Sequence, residues 1–103
     1  MIARCWRGET RNSDSEAYFE YLQETGVKQC KSIPGNRGVW LLRRLNQDAA
    51  EFWFISLWDS YESIKAFAGP DYEKAVYYPE DKRFLLSLDP HVTHYEVLNA
   101  VTQ

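Results

Sequence analysis

The first 90 residues contain no histidine, and the chain of 103 has only two, His91 and His94. That absence removes the commonest metal ligand, and the side chain that titrates near neutrality, from most of the sequence. On a strand, a spacing of three puts His91 and His94 on opposite faces, so they form no metal pair. No metal site is expected. Cysteine is scarce too: Cys5 and Cys30 make no CxxC and no cluster with histidine. Reduced thiols in a cytoplasmic protein are the expectation. Cys30 reads as a loop residue between Lys28 and Lys31, whose charges would lower a thiol pKa, although an inert free thiol is the plainer reading. No apolar stretch approaches the roughly 20 residues that span a bilayer; the longest, Phe52 to Trp58, is interrupted by Ser56. The opening MIARCWRGET carries charges within its first seven residues and does not read as a signal peptide. Charge of one sign never accumulates. Net charge is -3 from 12 basic and 15 acidic residues, and Arg43-Arg44 and Lys82-Arg83 are isolated pairs, too sparse for a nucleic-acid footprint. GxGxxG, GxxxxGK[ST] and GxSxG are all missing, which argues against a nucleotide site and against that nucleophile.

Aromatic side chains are plentiful: four Trp, seven Tyr and five Phe. On length the chain is one domain. A chain of this size buries roughly 65% of its unfolded surface, enough for one core with little room for a deep private cavity. Such a composition either packs densely or shares surface with a partner.

Period and punctuation give an order of elements. Residues 1 to 9 alternate as a strand, with Ile2, Arg4 and Trp6 opposite Ala3, Cys5 and Arg7. Ser13-Asp14-Ser15-Glu16 has capping-box spacing and opens a helix with Ala17, Tyr18, Tyr21 and Leu22 on one stripe. Gly26 suits a helix end, so the helix stops near Thr25 and residues 27 to 36 are extended. Gly38 to Asn46 and Glu51 to Trp58 read as a hairpin. Asp59 or Ser60 caps a helix that Gly69-Pro70 ends, Asp71 starts another short helical piece, and Glu80 to Leu86 forms a third behind Pro79. Residues 91 to 98 are the last strand, with Val92, His94, Glu96 and Leu98 on one face.

The order β-α-β-β-α-β predicts an α+β, ferredoxin-like split βαβ fold: a four-stranded antiparallel sheet with helices on one face. One sheet face should then be wet and polar. In the two middle strands it is not, because Trp40 and Leu42 and, beside them, Trp53, Ile55 and Leu57 are apolar as well. The economical cover is a second copy, giving a homodimer through the sheet faces.

"FISLWDSYESIKAFAG", "PGNRGVWLLRR" and "VTHYEV" resemble the antibiotic biosynthesis monooxygenase family over about residues 1 to 98. The resemblance implies a dimeric α+β barrel with a small-molecule pocket in each subunit, between helices and sheet. Some members oxygenate polyketide-derived aromatics without metal or flavin; others degrade haem or isomerise lactones, and the same fold hosts several chemistries. Haem-degrading relatives hold iron through a His on the helical connection, where this chain has none, so no cofactor is expected. Phe67 falls near a pocket Trp of the oxygenating relatives and Tyr72 near a pocket Tyr. A bowed connection, broken at Gly69-Pro70 and Pro79, would lid the space with Phe67, Tyr72, Tyr77 and Tyr78.

The candidate site follows. If its face is the helix side, His94 is a catalytic general base or anion donor; if it faces the dimer seam, it is a structural hydrogen-bonder. Tyr72 is the second catalytic candidate. Arg4 and Trp6 share a face of the first strand, and Arg4 would balance an anionic substrate or make a surface salt bridge. Trp58, Phe67 and Tyr78 complete the substrate-binding set. The expected activity is cofactor-independent oxygenation of a small aromatic or hydroxylated compound, with a non-catalytic binding or sensing dimer as the alternative.

Overall fold

The computed structural model describes residues 1–102. Four strands, β1 (Ile2–Thr10), β2 (Asn36–Leu45), β3 (Ala50–Trp58) and β4 (Thr93–Glu96), form one antiparallel sheet in the order β2-β3-β1-β4. The helices lie over one face, so the fold is the expected α+β, ferredoxin-like arrangement. Period-two alternation decides which side chains meet them. From β1 these are Ile2, Arg4, Trp6, Gly8 and Thr10; from β3 they are Phe52, Phe54, Ser56 and Trp58. Register aligns them in rows: Trp58 with Ile2, Ser56 with Arg4 and His94, Phe54 with Trp6. Tyr18, Leu22, Ile64 and Phe84 close the core from above.

The first helix is longer than the sequence indicates. It runs as α1 (Ser15–Leu22), a π-helical turn at Gln23–Val27 and α2 (Lys28–Ser32). Gly26 does not end it and has no positive φ. A Cβ there would lie 2.9 Å from the Phe54 ring, so the glycine serves close helix-to-sheet approach. The stop comes at Ile33, before Gly35 with φ 95°. Cys30 is therefore helical and fully buried, and burial pushes its thiol up to about 12; it is not activated by its lysine neighbours. The capping box also fails. Asn12–Asp14 winds into a 3-10 turn, which puts Asp14 at the N-cap without a side-chain bond.

Ser60 does cap α3 (Tyr61–Ala68), accepting from the Ser63 N–H at 3.3 Å, and Gly69 with φ 87° ends it. The expected helix after Asp71 is a single turn. Its backbone pairs instead with the segment before β4: the Ala75 N–H donates to Pro90 O and the Val92 N–H to Glu73 O, both at 2.9 Å. The third helix shrinks to α4 (Asp81–Phe84), because Leu85 bridges to Thr10. The last strand is likewise shorter than residues 91 to 98.

The opposite sheet face has no cover. Trp40 is 57% exposed, Leu42 49% and Tyr95 58%. No helix among the described residues is long and apolar enough to cross a membrane.

Candidate functional site

A cleft opens between the first helix, the sheet and the connection from α3 to α4, with about 460 Å³ of atom-free space including its mouth. Phe54, Phe67, Trp6, Tyr77 and Tyr78 supply aromatic wall, and Arg4, Ser56, Tyr18 and Asp81 supply polar groups. The apolar lining with few polar groups is the composition of small-molecule sites. Gly26 at the π-helical turn also faces the space, and such turns recur at functional sites.

Arg4 is the central feature. It sits on an inner strand, 3% exposed, in the row Ser56–Arg4–His94. Its Nη1 donates to Tyr72 O at 2.5 Å and meets His94 Nε2 at 3.1 Å, and its Nη2 donates to Lys74 O at 2.9 Å. The guanidinium also lies 5.7 Å from the Phe67 ring centre. Among the described residues no carboxylate comes within 4 Å of it. A buried cation held only by neutral acceptors is costly and projects positive potential into the cleft. Burial lowers its pKa to about 10, so it stays charged at neutral pH.

His94 lies on the helix side of the sheet, next to this guanidinium. Arginine has donors only, so the contact is a hydrogen bond only when His94 is neutral with its Nε2 lone pair directed at Arg4. Partial burial, then the Arg4 charge, lower its pKa. Tyr72 and Tyr61 pack edgewise on the imidazole at 5.3 and 5.9 Å. His94 and Tyr72 thus stand behind Arg4 rather than on the cleft wall.

The other expected residues divide. Trp6, Phe67 and Tyr78 line the cleft. Trp58 does not; it is fully buried, donates to Ser56 Oγ at 2.8 Å and stacks on Phe67 at 5.7 Å, so it backs the wall. The Trp6 indole donates to Tyr77 Oη at 3.1 Å, which donates onward to Asp89 O. Tyr78 Oη bonds Gln29, and burial pushes its pKa up to about 12.

Sequence reasoning missed Asp81. It is 3% exposed and lines the cleft. Its Oδ1 accepts from Tyr18 Oη at 3.0 Å and its Oδ2 from the Tyr78 N–H at 2.6 Å. As an acidic residue two after Pro79, it reads as an ordinary helix-start carboxylate. Only its burial distinguishes it.

A haem does not fit the residues present. The lone pair of His94 is engaged by Arg4, and His91 is exposed outside the cleft. The three phenols on the wall, Tyr18, Tyr77 and Tyr78, are hydrogen-bonded and held protonated.

No protein-family model matches this sequence, and no curated protein does. Solved structures match its fold. A candidate antibiotic biosynthesis monooxygenase from Nitrosomonas europaea superposes with TM-score 0.68 at 13% identity, covering 96% of this chain and all of that one. A second, from Bacillus cereus, gives 0.65 at 15%, covering 99% and 97%. The heme-degrader MhuD of Mycobacterium tuberculosis, solved with two hemes in its active site, gives 0.62 at 15%, covering 99% and 100%. The chain therefore has the fold of the antibiotic biosynthesis monooxygenase-like proteins.

Proposed function

We propose that the chain binds a small aromatic hydroxyl compound as its anion and oxygenates it with dioxygen, without a bound cofactor. The observation that carries this is Arg4: a buried guanidinium without a carboxylate, at the wall of an aromatic cleft. The fold shared with monooxygenase-like proteins and the sequence resemblance support it.

The chemistry needs little from the protein. A phenol loses its proton, and Arg4 stabilises the oxyanion in a site with low dielectric. The electron-rich ring then reduces dioxygen. One oxygen atom replaces the hydrogen at a ring carbon to give the quinone, and the other leaves as water; the substrate supplies all four electrons. Trp6, Phe54 and Phe67 hold the ring flat. In this reading His94 and the Tyr72 carbonyl position Arg4.

The exposed face of Trp40, Leu42, Trp53 and Tyr95 pairs with the same face of a second copy, closing a dimeric barrel. The bonded state of Tyr77 and Tyr78 favours a second reading, a binding dimer without turnover.

The test is oxygen uptake by the purified protein with 1,8-dihydroxyanthrone and with hydroquinone, without added metal or flavin. Uptake is expected in the native chain and is expected to fall at least tenfold in Arg4→Met. No uptake by folded protein that still binds the anthrone would replace the enzyme with the binder.

A further inference from the structure

We infer that Asp81 is the catalytic base that takes the hydroxyl proton of the bound aromatic, in the cleft that Arg4 also lines. This deepens the preceding reading and rests on it for the identity of the reaction.

Asp81 and Arg4 line one cleft, yet they do not pair. Each is 3% exposed, and no carboxylate–cation distance between them is within 4 Å. Arg4 is anchored to Tyr72 and Lys74 beside Phe67; Asp81 is anchored to Tyr18 and Tyr78 under the first helix. The cleft thus carries a buried cation and a buried carboxylate that are held by different partners and do not pair, with aromatic side chains in the same lining.

The plainer role for Asp81 is to pin a turn. Its own N–H donates to Tyr78 O at 3.0 Å while its Oδ2 accepts from the Tyr78 N–H, which braces the turn through Pro79. That role does not require a charge. A neutral amide accepts the same N–H, and its desolvation costs less than that of a carboxylate. Asp81 is buried with no cation near it, so the turn alone does not account for an ionisable group here. A carboxylate has about four acceptor sites, of which protein donors fill two. Burial raises the affinity of Asp81 for a proton, and its hydrogen bonds oppose this. The phenol of Tyr18 stays protonated, because burial and the Asp81 charge both disfavour its anion. Tyr18 therefore remains a donor that orients the carboxylate and does not compete for the proton.

The step balances simply. The O–H bond of the substrate hydroxyl at Asp81 breaks, the proton forms a new O–H bond on Asp81, and the electron pair stays on that oxygen and is delocalised through the ring onto the conjugated oxygen beside Arg4. Net charge in the cleft is unchanged: the carboxylate becomes neutral as the phenol becomes an anion. A ligand that suits both groups carries a hydroxyl toward Asp81 and an oxygen conjugated with it toward Arg4. Hydroxylated fused-ring ketones have that layout.

The test uses p-nitrophenol, whose anion absorbs visible light, at a pH below its solution pKa. The native chain is expected to bind it, show the phenolate band and release no proton to an unbuffered medium. Asp81→Asn is expected to bind within threefold, as read by equilibrium dialysis, and to lose the band. Its oxygen uptake with 1,8-dihydroxyanthrone should fall on the order of 100-fold or more, since a general base contributes about 10²–10⁴. Asp81→Glu should recover part of both signals. A full phenolate band in Asp81→Asn, or one proton released per phenolate by the native chain, would overturn the assignment. The proton count needs only native protein, so it decides the matter even if the variants do not fold. Native protein that ionises the probe yet consumes no oxygen would overturn the oxygenase reading and leave Asp81 as the proton acceptor.

Discussion

At the scale of single residues, the site is a set of buried polar groups that each break a local rule. Arg4 breaks the rule that buried charges are paired, and His94 partly compensates by offering a neutral lone pair. This arrangement sets a pH dependence. The fold lowers the pKa of His94 below its ordinary 6.5, by partial burial and then by Arg4. As pH falls below 6.5, the unfolded chain takes up a proton that the folded chain resists. Stability is thus fully present above 6.5 and declines as pH falls toward the folded pKa. His94→Gln, which keeps a neutral acceptor, should flatten this part of the pH profile in urea titrations and retain p-nitrophenol binding. His94→Ala should flatten it too but weaken binding. Equal binding by both variants would remove His94 from the support of Arg4. Gly26 gives a second prediction at this scale. Gly26→Ala gains helix propensity of about 1 kcal/mol, but its Cβ meets the Phe54 ring at 2.9 Å. Overpacking typically costs about 1–3 kcal/mol, so a net loss of about 1 kcal/mol is expected in urea unfolding.

At the scale of elements, strands were far more legible than helices. Alternation put Arg4 with Trp6 on one face of a strand and His94 with Glu96 on one face of another, because a pleated strand allows only two faces; which face the helices cover came only from the folded sheet, whose register brings Arg4 and His94 into one row on the helix side. The resemblance and the aromatic pattern brought Phe67 and Tyr78 to the cleft. Helix ends were misread where tertiary packing outweighed local signals. Gly26 resembled a terminator but serves contact with Phe54, so the helix carries on to bury Cys30. The connection after Pro70 resembled short helices, yet its backbone found partners across the chain at Pro90 and Val92. Asp81 was invisible because its partner, Tyr18, is 63 positions away. Trp58 was expected in the substrate-binding set, but its indole N–H bonds Ser56 and its ring stacks behind Phe67. Ser56→Ala should therefore leave a buried N–H unpaired and cost about 1–3 kcal/mol, read by thermal or urea unfolding. No destabilisation would mean that Trp58 finds another acceptor.

At the scale of the whole molecule, one sheet separates two different surfaces. The helix side holds a core and a cleft lined by both Arg4 and Asp81, which form no ion pair. The other side shows Trp40, Leu42, Trp53 and Tyr95 to solvent, a surface that a monomer does not explain. Trp40→Glu should give a folded monomer in sedimentation velocity, against a native dimer; a native chain that sediments as a monomer at high concentration would refute the sheet-to-sheet pairing. The central claim concerns the cleft, and a crystal structure with 1,8-dihydroxyanthrone tests it most directly. The account predicts the fused rings between Trp6 and Phe67, one ligand oxygen within about 3.2 Å of the Arg4 guanidinium and a hydroxyl on Asp81. A ligand bound elsewhere, with the cleft closed by its own aromatic side chains, would contradict it.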